Sequence, residues 1–255
     1  MNSARMLQGV CVVHVDAPGH EDDAGLLASD ALRREPLSME SLAQQLGVVC
    51  AQLELPRFIG LGMGAGANVL LRYASDHPRN LAGLILMNPT LKGPTRCESL
   101  YLAYASLLVR LQHRADAISI LARIHFSGRA LACKSLPRAY TRSHKVPASV
   151  DNKLWFLRAW RERDALGPAR LKALRDVPML CFSAYESAGM MLVPNTYPEE
   201  DCDSLIEELI CEGLHTRVSH IRVRGCGNQL AEERAEECLV PMRLFAAGIR
   251  LQLGR

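Results

Sequence analysis

The run Phe58-Ile59-Gly60-Leu61-Gly62-Met63-Gly64-Ala65-Gly66-Ala67 sets a tight glycine-rich turn between an apolar stretch and the helical spacing Val69, Leu70, Tyr73. Two chemistries use such a turn. One is nucleophilic: in the pattern G-x-S-x-G a serine sits on a strained strand-to-helix bend, flanking glycines permit the bend, and the hydroxyl attacks a carbonyl. Here Gly62 and Gly66 keep the flanks, but Gly64, between Met63 and Ala65, holds the nucleophile position and has no side chain. The other chemistry is phosphate binding, in which glycines let the backbone approach a phosphate at a helix N-terminus. A dinucleotide site wants an acidic residue at the end of the next strand, and that strand ends Leu86-Met87-Asn88-Pro89, which weighs against nucleotide binding.

Two later places complete the order nucleophile, acid, histidine of an α/β-hydrolase triad. The acid position falls in Met179-Leu180-Cys181-Phe182-Ser183-Ala184-Tyr185-Glu186, where Glu186 is a candidate survivor. The histidine position falls in Val223-Arg224-Gly225-Cys226-Gly227-Asn228. Asn228 or its glycine neighbour stands there, and an amide cannot take up and return a proton near neutral pH. Without nucleophile and base the triad cannot operate, so no catalytic residue is assigned. Met63, Gly64, Ala65, Asp16, His20, Glu186 and Asn228 are expected to line a vestigial pocket beneath a helical cap.

Other reactive groups have blander readings. Asp16, His20, Asp22 and Asp23 gather at the carboxyl end of an expected strand, where open α/β sheets place ligands. No further ligand cluster with metal spacing accompanies them, so they read as loop caps or solvated groups and no metal or cofactor is expected. Cys226 would be a thiol nucleophile only if His220 or His215 reached it; otherwise it is a buried, inert cysteine.

The elements that must position these groups alternate. Val10 to Val15 reads as a buried strand running into a turn at Asp16 to His20, and Ser38 caps a helix with Leu42, Leu46, Val49 and Leu53 on one face. Phe58 to Leu61 and the continuously apolar Leu81 to Met87 read as buried parallel strands, with a helix between them. Residues 99–165 change character: helical spacing, many arginines, and breaks at Pro137 and Pro147 mark a helical insertion. Alternation then resumes with strands at Met179 to Ala184 and Val218 to Val223, and helices at Ser204 to Cys211 and Glu232 to Arg250. The expected fold is α/β, a mostly parallel sheet with helices on both faces and a helical cap. It divides into residues 1–98 and 166–255 as core and 99–165 as cap, within one domain.

The 255 residues, 49% apolar and 22% charged, can bury a sizeable core, and no apolar run is long enough to span a bilayer. Met1 to Gln8 lack a basic start and an apolar core, so no secretory signal is expected, and the nine scattered cysteines read as reduced, mostly buried thiols. Tyr101 to Arg163 carries 12 Lys/Arg against 3 Asp/Glu, whereas Glu186 to Cys238 carries 4 against 12. The basic segment reads as a solvated face or as a surface for acidic membrane or protein. Tyr101, Tyr104, Tyr140, Trp155 and Trp160 fall at helical-core positions, and nucleic acid is not expected.

Three stretches resemble the N-myc downstream-regulated (NDR) family: Val13-His14-Val15-Asp16-Ala17-Pro18-Gly19, the elbow Ile59 to Ala67, and Gly83-Leu84-Ile85-Leu86-Met87-Asn88-Pro89. Tyr140-Thr141-Arg142-Ser143-His144 and Leu157 to Leu166 are similar to its cap. The resemblance implies an α/β-hydrolase fold without hydrolase activity, a mainly cytoplasmic location, and roles in signalling, stress response and differentiation; to these the basic segment adds the expectation of protein partners or a peripheral membrane contact. The resemblance also implies that the first strands of the sheet, a loop supplying an oxyanion donor, and a C-terminal tail are missing. The gap beside the elbow strand would then have to close by direct pairing or be filled by another segment. The rival readings are a hydrolase or lyase using relocated residues such as Asp16, His20, Glu186 or Cys226, and a truncated fragment without independent function.

Overall fold

The computed structural model describes residues 11–21, 24–27, 36–55, 57–111, 113, 126–133, 150–185 and 217–253. Four parallel strands form the described sheet, in the order β1 (Phe58–Met63), β2 (Leu81–Met87), β3 (Met179–Tyr185), β4 (Val218–Arg224). All seven residues of β2 are buried. The strand period of two splits them: Leu84 and Leu86 join Leu71, Tyr73, Ala74, Met179 and Cys181 on one face. Ile85 and Met87 join Leu180, Phe182, Leu230 and Cys238 on the other. A strand covered on both faces must be apolar throughout, which is why its sequence shows no alternation.

Helices cover both faces. α1 (Met39–Gln52) starts at a reciprocal cap: Ser41 N donates to Ser38 Oγ at 3.0 Å, and Ser38 N donates to Ser41 Oγ at 2.9 Å. α2 (Ala65–Asp76) follows β1 directly, and a 3₁₀ turn at Pro78–Asn80 leads into β2. The cap is seen as α3 (Arg96–Arg110), α4 (Gly128–Ala132) and α5 (Val150–Arg161). α6 (Pro168–Ala173) returns the chain to β3. The closing helix is two pieces, α7 (Leu230–Glu233) and α8 (Ala235–Leu253), separated at Arg234 with φ −138° and ψ 45°.

Buried polar side chains fasten the cap. Arg163 grips Glu98 with two bonds of 2.9 and 2.8 Å, donates to Lys92 O and Trp160 O, and lies 3.9 Å over the Trp160 ring. Asn152 on α5 donates to Gly19 O and Gly25 O and accepts from Leu27 N, clipping the loop at these three residues to the cap.

The expected strand at Val10 to Val15 is not formed among the described residues 11–15, where Val12, Val13 and Val15 are exposed. β-branched residues become a strand only against a ladder partner and a covered face. β1 pairs with β2, and the described sheet holds no strand beyond β1 to receive this segment. Neither way of closing the expected gap is therefore seen among the described residues. The expected helix at Ser204 to Cys211 and the cap segment Tyr140 to His144 lie outside the described residues.

Candidate functional site

Because the four strands are parallel, the loops that follow them meet along one edge of the sheet. At the first loop Gly64 adopts φ 53°, ψ −113°, a conformation that strains any residue bearing a side chain. Its N–H donates to Met87 O at 2.9 Å, which holds the bend against the end of β2. A Cβ on Gly64 would meet no heavy atom within 4 Å, so the position opens onto free space. Met63 packs into the apolar layer with Leu180 and Phe182. Ala65 begins α2, whose N-cap Gly64 supplies no side-chain cap. What this bend retains is a helix N-terminus, a partial positive charge that favours an anion but attacks nothing.

The remaining expected site residues divide. Asn228 comes to the same edge, where its main-chain oxygen accepts from Asn88 Nδ2 at 2.9 Å. Glu186, Asp22 and Asp23 lie outside the described residues. Asp16 accepts from or pairs with His14 Nε2 at 3.1 Å on the exposed surface. His20 hydrogen-bonds Pro18 O through Nδ1 and sets its ring edge-on to Phe156, centroids 5.2 Å apart. These contacts fix Asp16 and His20 as parts of the loop clipped by Asn152.

Two features escaped the sequence reading. Asn88 follows β2 in the left-handed region, φ 47°, and is buried. Its Oδ1 accepts from Ala184 N at 2.7 Å while its Nδ2 reaches Asn228 O, so one amide ties the acid and histidine positions together. The Asn-Pro pair was the only local signal, since asparagine tolerates this backbone better than other side chains. Glu233 is the second: it accepts from Gly227 N and from Ser127 N and Oγ, joining the loop after β4 to the start of α4.

Two nucleophile candidates are controlled by burial. Ser183 Oγ and His220 Nε2 lie 2.7 Å apart across β3 and β4, but Ser183 has no exposed surface for a substrate to approach. Cys226 is fully buried and its thiol donates to Val223 O at 3.3 Å. Burial foremost, then the negative charge of Glu233, pushes this thiol up to about 12, so it stays protonated and inert. The expectation of mostly buried thiols holds for Cys50, Cys181, Cys226 and Cys238, whereas Cys11, Cys97 and Cys133 are exposed. Iodoacetamide at mildly alkaline pH should therefore label Cys97 and Cys133 in the native protein and reach Cys226 and Cys181 only after unfolding, read by peptide mass spectrometry. Native labelling of Cys226 ahead of Cys97 would contradict this burial.

Among the described residues no group of His, Cys, Asp and Glu could hold a metal ion, and no helix is long and apolar enough to cross a membrane. The cavities of this structure near 460 and 470 Å³ lie elsewhere, one in the cap beside Trp155 and one against α1 beside Tyr73.

The Ndr family model matches residues 2–252. The pollen-specific protein SF21 of Helianthus annuus is 26% identical over 98% of this chain, a match spanning 67% of that protein. Protein NDRG2 of Homo sapiens is 40% identical over 90 residues, 34% of this chain and 24% of that protein. Among solved structures, an esterase from Thermogutta terrifontis superposes with TM-score 0.67 at 16% identity, covering 84% of this chain and 74% of its own. MGS-M2, an α/β hydrolase from a Medee basin deep-sea metagenome, does so with TM-score 0.68 at 12% identity, covering 84% and 73%. At such identities the structural likeness establishes the α/β-hydrolase fold alone.

Proposed function

The chain belongs to the Ndr family, built on an α/β-hydrolase scaffold, and from that premise we propose that it is a non-enzymatic signalling or adaptor protein. The observation that carries this reading is the elbow at Gly64, which keeps the nucleophile's backbone and lacks its side chain. Asn88 supports it, because its amide links the main chain of β3 at Ala184 to that of Asn228 by hydrogen bonds that serve structure. In this reading the protein acts in the cytoplasm through protein partners, in signalling, stress response or differentiation, and uses the cap and loops as recognition surface.

The test is chemical. The purified chain should release no nitrophenol from short-chain nitrophenyl esters above buffer and form no adduct with a fluorophosphonate probe; stoichiometric labelling overturns the reading. Gly64→Ser places a hydroxyl in open space at a backbone cost of about 1–2 kcal/mol. Turnover should stay at background, since a general base contributes roughly 10²–10⁴-fold and Asn228 stands where the imidazole would. A second reading, hydrolysis by a relocated nucleophile, is favoured only by the Ser183–His220 hydrogen bond. Were any ester turnover measured, its survival in Ser183→Ala would remove that reading as well.

A further inference from the structure

Among the described residues, the outer face of α3 is apolar and exposed. Leu100, Tyr104, Leu107 and the C-cap Leu111 recur at helical spacing and are 73%, 52%, 50% and 59% exposed. The opposite face of the same helix, Leu102, Ala105 and Val109, is buried, and α3 packs against α5. A helix apolar on both sides calls for a second covering, and a contiguous exposed apolar patch marks a contact surface. Tyr104, expected from its spacing to lie in a helical core, sits instead on this ridge.

Charge identifies what covers it. Arg96 and Arg110 stand exposed on α3 beside the ridge. Arg110 also lines a cavity of about 460 Å³ between α3 and α5, whose walls are Leu26, Leu154 and Trp155 and whose other guanidiniums are Arg158 and Arg161. Among the described residues, Asp151 and Glu162 bring carboxylates to this groove, with Glu162 holding both Arg158 and Arg161. Four guanidiniums thus border an apolar ridge and an apolar-walled groove, with two carboxylates against them. The ridge side chains project from an exposed helix face. A protein partner would need a matching groove, whereas a bilayer accepts such a ridge as it stands, leucines among the acyl chains, tyrosine at headgroup level and arginines on phosphates.

We propose that α3, with the arginine-rimmed groove beside it, is the face by which this protein docks on an anionic phospholipid bilayer. The docking is independent of whether the elbow is catalytically silent, and it is read by vesicle binding rather than turnover. The full chain should co-sediment with phosphatidylcholine vesicles containing phosphatidylserine at least about tenfold more strongly than with phosphatidylcholine alone, and less as salt rises. Leu100→Glu with Leu107→Glu should lower that binding by about tenfold or more, while circular dichroism and melting stay unchanged because both side chains are exposed. Arg110→Gln with Arg158→Gln should lower it and flatten the salt dependence. Val48→Glu, at an equally exposed apolar position on α1, should leave binding unaltered. Three results overturn the proposal: no preference for anionic vesicles, a leucine double variant that binds like the parent, or light scattering showing a dimer that this double variant dissolves. The last would assign the ridge to a second copy of the chain.

Discussion

Arg72→Met should remove about 3 kcal/mol of unfolding free energy, a fall in Tm of roughly 6–12 °C for a domain of this size. Arg72 lies two turns into α2 and its side chain is 1% exposed. Its Nε donates to Asn68 Oδ1 at 2.9 Å, one terminal nitrogen to Glu40 at 3.2 Å, and the other to Asp164 O at 2.7 Å and to the Asp164 carboxylate at 2.9 Å. The guanidinium therefore pins the helix behind the elbow to the start of α1 and to the chain leaving the cap. Methionine fills part of the volume but strands the buried Asn68 oxygen, at about 1–3 kcal/mol when unpaired, and forfeits the charged bonds to Glu40 and Asp164. Arg170→Met is the internal control. Arg170 also binds Glu40, at 2.7 Å, but with 36% of its side chain exposed its loss should cost under about 1 kcal/mol. Urea denaturation giving equal losses for the two would refute the assignment of Arg72 as the hub.

Acid should act on the same network. The hydrogen bond from Arg170, then that from Arg72, outweigh partial burial and hold Glu40 below its ordinary value of 4.5. A carboxylate depressed in the folded state stabilises above its unfolded pKa and loses that contribution as pH falls through the folded value. Stability should therefore decline below about pH 4.5, and Glu40→Gln should remove part of that decline while lowering stability at neutral pH, both read from melts against pH.

What could be read in the sequence was what local signals specify. Ser38 announces a helix start by its own hydroxyl, β2 announces burial by an unbroken apolar run, and Gly62-Met63-Gly64 announces the elbow by spacing. The misreading of Val10 to Val15 shows the limit: propensity is local, but a strand exists only with a ladder partner. The site was less legible for the same reason. Asn88 bonds a main-chain nitrogen 96 residues away and a main-chain oxygen 140 residues away. Ser183 meets His220 across 37 residues and Glu233 meets Ser127 across 106. No residue type at either end of such a bond advertises the other, because the partner is a backbone atom or a common side chain.

The glycines of the elbow separate by what an added methyl group would meet, and this gives the second large effect. A Cβ on Gly62 would fall 2.7 Å from Ala67 N and from the carbonyl carbon and oxygen of Gly66, all main chain at the start of α2. Backbone cannot rotate aside as a side chain does, so Gly62→Ala must shift the helix against β1. The cost should reach the upper end of overpacking, about 3 kcal/mol. Gly64→Ala meets no neighbour and bears only the left-handed backbone, about 1–2 kcal/mol. Gly66→Ala meets neither obstacle and lies inside α2, where alanine should stabilise by roughly 0.5–1 kcal/mol. Chemical denaturation of the three variants should therefore rank them Gly62→Ala, Gly64→Ala, Gly66→Ala in falling cost, with the sign reversed at the last. An equal loss at Gly62 and Gly64 would mean that the helix does not abut the strand as described, and that the bare alpha carbon is not held in the pose of a nucleophile. If the ranking holds, the bend is maintained by close contact between β1 and α2 rather than by any demand of chemistry. That is how a fold can keep an elbow after the side chain it served is gone.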